Sequence, residues 1–207
     1  MAPYAPAPPL RNAAGLASFV LARPALLEPL RTLAAFDLPD AWIGAGFLRN
    51  AVWDALAGLP FGTNPPGDVD VVWFDPSRAT AAADAAIEAR LHAAGPGVPW
   101  SVRNQARMAA RNGDAPYADT LDAMAHWPDT ATAVAARLGP AGAVEIAAPW
   151  GVADLLAGVV RPTPAFAADP ARREVFARRL AAKGWLRRWP WLRVLRDPPD
   201  DTGETAA

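Results

Sequence analysis

Gly67-Asp68-Val69-Asp70-Val71-Val72-Trp73-Phe74 is the stretch that decides the fold. Val69 to Phe74 is β-branched and aromatic, the composition of a strand. Side chains alternate faces along a strand, so Asp68 and Asp70 point the same way. Two carboxylates this close repel each other unless a cation sits between them. The apolar run that follows makes them the opening of a buried strand, where unpartnered charge is costly. A divalent ion answers both demands and also binds phosphate groups. The plainer alternative is a solvated edge strand that carries two acids.

Upstream lies Trp42-Ile43-Gly44-Ala45-Gly46-Phe47-Leu48-Arg49-Asn50. Ala41-Trp42-Ile43 reads as a short strand, Gly44-Ala45-Gly46 as a turn, and Phe47 to Leu59 as an amphipathic helix with Leu48, Val52, Leu56 and Leu59 at helical spacing. Small residues at such a turn let the backbone come close to a phosphate, and free N–H groups at a helix start favour an anion. Arg49 adds a charge-assisted contact from the first turn. An ordinary tight strand-to-helix turn explains the same residues. The third glycine and the downstream acid of the dinucleotide fingerprint are absent, so a Rossmann dehydrogenase is a poor match.

Composition narrows the chemistry. The 207 residues suit one domain, or one with a modest appendage. A formal net charge of −1 supplies no global field toward nucleic acid or anionic membrane, and no extended basic tract for a polynucleotide is evident. Lys183 is the only Lys among the 20 basic residues. The heavy use of Arg and Ala reads as the bias of a GC-rich genome, so arginines are not taken singly as phosphate clamps, although Arg suits that contact. With no Cys, disulfides, thiolate zinc sites and cysteine nucleophiles are excluded. His92 and His126 stand alone, which excludes a multi-His site. Any metal is then held by oxygen ligands, which points to Mg2+ or Mn2+. No apolar run reaches the roughly 18 residues needed to cross a bilayer. The start, MAPYAPAPPL, has neither the basic end nor the apolar core of a signal peptide, so the expected location is cytoplasmic, away from any membrane.

Residues 1–10 and 198–207 are read as disordered tails around a single domain over 11–197. A first helix is expected from about Leu10 to Ala35, broken or kinked around Pro24 and Pro29. Phe61 to Gly67 is loop. Asp75-Pro76 reads as a cap and first-turn proline of an alanine-rich helix that ends at Gly95-Pro96-Gly97. Trp100 to Met108 is a polar candidate for a third strand. Ala115 to Arg137 is read as helical in pieces, Val144 to Ala148 as a short strand, and Asp169-Pro170 as the start of a last helix to Lys183. The order predicts an α+β domain in which a small mixed, twisted sheet is flanked by helices.

A glycine turn opening a helix, followed by an Asp-x-Asp strand, resembles the signature of the polymerase-beta-like nucleotidyltransferases. Gly44 to Asn50, with Asp54, Leu56 and Gly58, is most similar to the version in the tRNA CCA-adding and poly(A) polymerase branch, with Ala45 in place of a second glycine and Asn50 in place of an aspartate. Further blocks resemble a bacterial family of predicted nucleotidyltransferases over about residues 38–192. They are Trp100 to Met108, Asn112 to Tyr117, Trp127 to Val134, Ala148 to Gly151 and Arg161 to Pro164.

The resemblance implies the nucleotidyltransferase fold and metal-dependent transfer of a nucleoside monophosphate from a nucleoside triphosphate to an acceptor. The acceptor is left open among a small molecule, a protein and an RNA end. Asp68 and Asp70 would hold metal, and Gly44, Ala45, Gly46 and Arg49 the triphosphate. Members of the superfamily often carry a third carboxylate on the next strand, where this chain has Arg103, Asn104 and Gln105. Glu145 is the candidate taken for it. Asp114 and Asp154 are alternatives, and so is Asn104 as a polar ligand. Without a third acid, a catalytically inactive nucleotide-binding or partner-binding protein on the same fold is the competing reading. Arg103 and Arg107 share a face if both lie on a strand and would then meet a phosphate; surface arginines are the alternative. The arginines at 172, 173, 178 and 179 are read as a solvated face. The tryptophans at 127, 150, 185, 189 and 191 are read as core packing rather than base stacking.

Overall fold

The computed structural model describes residues 10–199, so the expected tails lie, but for their inner ends, outside the described residues. Asn12 caps helix α1 (Ala13–Leu21) by accepting from Gly15 N at 2.9 Å. Pro24 then opens α2 (Pro24–Ala34) at a bend of 92°. The expected break falls at Pro24, where a proline without an N–H fits a first turn, whereas Pro29 stays inside α2.

The chain continues through strand β1 (Trp42–Gly44), α3 (Gly46–Leu56) and β2 (Val69–Trp73). Asp75 and Pro76 form a single 3-10 turn at Pro76–Arg78, and the alanine-rich helix α4 (Ala81–Ala94) starts later, capped by Thr80. Strand β3 (Trp100–Asn104) is shorter than expected: Asn104 is its last paired residue, and its side chain accepts from Ala106 N at 3.0 Å, capping α5 (Gln105–Asn112). After α6 (Thr120–Ala125) comes β4 (Ala135–Leu138), where helix was expected, and then β5 (Val144–Ala147). The remainder is α7 (Ala153–Ala157), β6 (Val159–Val160), α8 (Pro164–Ala168), α9 (Pro170–Lys183), α10 (Trp185–Arg188) and β7 (Arg193–Val194).

The main sheet has the order β3-β2-β1-β4-β5, with β2 and β3 parallel and the other pairs antiparallel. A separate parallel pair joins β6 to β7. Alternation divides the sheet residues between two cores. Ile43, Val71, Val102 and Ala136 face the larger one, with Leu48, Val52, Trp53 and Leu91. Trp42, Val72, Ala135 and Ala147 face a smaller one with Met124. The alanines of β4 are fully buried, so tertiary packing overrides their helical preference. Asp70 shares the face of Trp42 and Val72, at the rim of the smaller core. Among the described residues no single helix is long and apolar enough to cross a membrane.

Tryptophans lock the C-terminal helices onto α3. Trp53, Trp185 and Trp189 are all buried, and the Trp53 ring meets the other two edge-on at 5.6 and 5.1 Å between centres. Trp53 Nε1 donates to Leu155 O and Trp189 Nε1 to Asp54 Oδ1, both at 3.0 Å. Edge-on indole pairs contribute about 0.5–1.5 kcal/mol each beyond their burial. The arginine-bearing α9 is thereby placed above the N-terminal end of α3.

Candidate active site

The β1–α3 turn is built around close approach. Gly44 is the antiparallel partner of Asp70. A Cβ on Gly44 would stand 3.1 Å from Ala135 Cβ and 3.2 Å from Val134 O. Ala45 follows at φ 55°, ψ −125°, backbone that glycine adopts far more readily than alanine. Ala45 N donates to Val134 O at 3.1 Å, which pins the turn to the segment before β4. No side chain caps α3, so the N–H groups of its first turn are available to an anion.

Ala45, Gly46 and Arg49 share a cleft of about 260 Å3 with Asp68 and Asp70. Asp68 directly precedes β2 and Asp70 is its second residue. The Asp70 carboxyl is pushed up to about 6, by burial first and by the charge of Asp68 second. Lys183, Arg179 and Arg49 act against that rise. A carboxylate whose charge is disfavoured by burial and by a neighbouring acid is one that a cation compensates. Two adjacent carboxylates facing an open cleft suit a divalent ion that takes its other ligands from water and phosphate.

Arg49 is only 5% exposed. It donates to Thr132 Oγ1 at 2.7 Å and to Asn50 Oδ1 at 3.0 Å, and its guanidinium lies 4.4 Å from the Trp185 ring centre. Burial lowers it to about 10. Its Nε has no hydrogen-bond partner among the described residues, and a buried donor left unpaired costs about 1–3 kcal/mol.

The opposite wall comes from Arg179, Lys183 and Arg188 at the C-terminal end of the structure. The α9 face is therefore not uniformly solvated as expected. Arg172 pairs with Asp114 and Arg178 with Glu174, whereas Arg179 turns inward toward the fully buried Asp129. A second pocket of about 240 Å3 adjoins the cleft and shares Ala45, Asp70 and Arg179 with it; Val72, Arg103, Met108, Trp127 and Thr132 are among its other walls.

Several expected participants stand elsewhere. Glu145 lies on β5, separated from β2 by β1 and β4, roughly 14 Å of sheet at the usual strand spacing. It is held by Arg137 at 2.7 Å, so it does not join the Asp pair. Asp114 bonds Tyr117 and Arg172, and Asp154 bonds Thr130 and Arg161. Asn104 is fully buried and ties Asp75 and Arg78 to the end of β3, away from the cleft. Arg107 sits on α5, not on a strand beside Arg103, and pairs with Asp84 at 2.6 Å. Arg103 alone of that group borders the second pocket. On β3 the residue in register with Asp70 is Ser101. Among the described residues no third His, Cys, Asp or Glu completes a metal-binding group.

Sequence reasoning missed Arg179, Lys183, Arg188, Asp129 and Thr132. Two signals pointed to the C-terminal members of this set, the only Lys of the chain at the end of α9 and two tryptophans within a few residues of it; none pointed to Asp129 and Thr132. Of the tryptophans read as packing, Trp185 and Trp189 are buried, while Trp127 lines the second pocket.

Comparison with known proteins places these features in a wider context. The model of a family described as nucleotidyltransferase matches residues 31–194. No curated protein matches the sequence. Among solved structures, a protein whose NMR structure reveals a CCA-adding enzyme head domain is 30% identical, with a TM-score of 0.80, over 92% of this chain and 99% of that one. The Thermotoga maritima CCA-adding enzyme complexed with tRNA is 18% identical, with a TM-score of 0.50. That match covers 90% of this chain but 43% of the enzyme, so the chain spans less than half of that relative's length.

Proposed function

The chain belongs to a nucleotidyltransferase family of the polymerase-beta-like superfamily, with the fold of a nucleotidyltransferase head domain, and from that premise we propose that it moves a nucleoside monophosphate from a nucleoside triphosphate to an acceptor. The observation that carries this reading is the convergence in one cleft of Asp68, Asp70, the uncapped start of α3 and the buried Arg49. An acceptor oxygen attacks the α-phosphorus, a P–O bond forms, the α–β bridging bond breaks, pyrophosphate leaves and the acceptor loses its proton.

Asp68 and Asp70 would hold a divalent ion, which supplies charge neutralisation and orientation at the transferring phosphoryl group. The first-turn N–H groups of α3 and the Arg49 guanidinium bind phosphate oxygens. Ala45 and Gly46 keep the turn small enough for that approach. Thr132 and the Trp185 ring hold Arg49 in place before any ligand arrives, which reduces the ordering cost of binding. The second pocket, which meets the cleft at Asp70, supplies room for the remaining parts of the reactants. One structural neighbour is described as complexed with tRNA, which makes an RNA end one acceptor to assay beside small molecules and proteins.

A second reading is favoured by Ser101, a hydroxyl at the β3 position in register with Asp70. Without a third acid to take the acceptor's proton, the protein would bind nucleotide and not turn it over.

The test is calorimetric titration of each of the four nucleoside triphosphates with magnesium, with Asp68→Asn/Asp70→Asn as control, followed by pyrophosphate release in the presence of candidate acceptors. Micromolar binding that the double variant loses supports the site, and release of pyrophosphate supports transfer. Metal-dependent binding without release under any acceptor favours the second reading. No binding to any triphosphate removes both.

A further inference from the structure

We propose that Arg179 and Lys183, one helical turn apart on α9, clamp the polyphosphate of the nucleotide, and that Asp129 is the positioning residue that aims Arg179 into the cleft. The inference rests on the reading of the cleft as a nucleoside triphosphate site and adds residues that lie outside the glycine turn and the Asp-x-Asp strand.

Charge balance is the first argument. Among the described residues four cations, Arg49, Arg179, Lys183 and Arg188, line the cleft against two acids, Asp68 and Asp70, and counting Asp129 behind Arg179 still leaves one cation in excess. Lys183 is lowered by burial, then by the charges of Arg179 and Arg49. Like charges gathered in a partly buried cleft are unfavourable unless an anion joins them. A divalent ion on the Asp pair would enlarge the surplus of positive charge, so the ligand that relieves it is strongly anionic.

The second argument is the direction of the donors. Asp129 meets Arg179 through Nε at 3.4 Å. The two Nη groups, the fork that grips phosphate oxygens in pairs, have no acceptor among the described residues. Asp129 is itself fixed, accepting from Thr132 N at 2.8 Å, and the hydroxyl of the same Thr132 receives Arg49. Arg49 and Arg179 also both lie against the Trp185 ring, at 4.4 and 5.4 Å from its centre. One short segment and one indole thus set two guanidinium groups toward one space. The ammonium of Lys183 has neither a hydrogen bond nor an ion pair among the described residues.

Composition does not account for this arrangement. The other basic residues of α9 are engaged elsewhere: Arg172 with Asp114, Arg173 with Ala167 O and Arg178 with Glu174. Lys183 is the one lysine in a chain that otherwise uses arginine. An ammonium acts as a compact point charge and complements the flat fork of Arg179.

The experiment titrates magnesium tripolyphosphate and magnesium ATP into wild type, Arg179→Ala, Lys183→Ala and Arg178→Ala, the last as an outward-facing control, with thermal melting to show that each is folded. Arg179→Ala and Lys183→Ala should each weaken both ligands about tenfold or more, a loss of about 1.4 kcal/mol, and Arg178→Ala should change them less than about twofold. Asp129→Asn keeps the bond from Thr132 N and removes the charge facing Arg179. It should weaken tripolyphosphate in wild type and have no further effect in the Arg179→Ala background. Equal weakening in both backgrounds overturns the positioning role. Unchanged binding in both α9 variants, with Asp68→Asn/Asp70→Asn still abolishing ATP binding, overturns the clamp and leaves the nucleotide site standing. Failure of wild type to bind either ligand removes the nucleotide reading and the clamp with it.

Discussion

Gly44 and Asp70 face each other across β1 and β2, so the glycine turn and the acidic strand are joined by a single rung of the sheet. That rung has no spare room on its other side, where Ala135, Val134 O and Trp127 stand 3.1, 3.2 and 3.3 Å from the place a Cβ would take. Gly44→Ala should therefore push β1 from β4 and destabilise the protein by about 1–3 kcal/mol, the usual cost of overpacking. Because Asp70 is on the same rung, magnesium-dependent nucleotide binding should weaken in the variant even where it is folded. Urea denaturation and calorimetry read the two effects; an unchanged denaturation midpoint would sink the packing argument.

Ala45 is the residue next to that rung, and its φ of 55° and ψ of −125° belong to glycine's territory. Such backbone costs a side-chain-bearing residue about 1–3 kcal/mol, offset in part by the greater unfolded-state entropy of glycine, about 0.4–1 kcal/mol. Ala45→Gly should raise the stability by about 1 kcal/mol, read as a higher urea midpoint at unchanged slope. A lower midpoint would show that the turn carries no strain.

What was legible in the sequence followed from local chemistry. β2 is a β-branched and aromatic run, and α9 opens on an Asp-Pro cap, so both stand where expected. Alternation made the face of Asp70 legible, whereas Asp68 is a bend residue just before β2 and reaches the same cleft from outside the ladder on which it was expected. β4 was not, because Ala-Ala-Arg-Leu is helical by preference and becomes a strand through its place between β1 and β5. The same ignorance of strand order made Glu145 a candidate: it is on Asp70's face of the sheet but at the far edge. Arg179 was hidden among four arginines on one helix, and its inward turn goes with contacts outside that helix, to Asp129 and the Trp185 ring.

Asp54 is a buried acid that organises the loop bordering the cleft. It accepts from Asn64 N at 2.9 Å, Asn64 Nδ2 at 2.6 Å and Trp189 Nε1 at 3.0 Å. Asp54→Asn turns one acceptor into a donor facing N–H groups, which leaves buried donors unpaired at about 1–3 kcal/mol. The expected result is a stability loss of that size, together with altered Trp189 fluorescence. An unchanged melting temperature would mean that the loop is held by something else.

Asp70 makes the metal-free protein sensitive to pH in a direction that can be worked out. Its carboxyl sits at about 6 in the folded chain against 3.8 for the ordinary group, because burial and Asp68 disfavour the charge. A raised folded value means that the contribution to stability is complete below the unfolded value and is lost as pH rises through the folded one. In the presence of a chelator, wild type should lose stability at this site between about pH 4 and about pH 6. Asp70→Asn cannot titrate, so its stability relative to wild type should increase from about pH 4 to about pH 7. Magnesium should stabilise wild type near neutrality, where the carboxylates are charged, and do little for Asp70→Asn. Paired denaturation curves for the two proteins, with chelator and with magnesium, give the answer; an Asp70→Asn difference that is the same at both pH values would show that Asp70 is ionised without penalty.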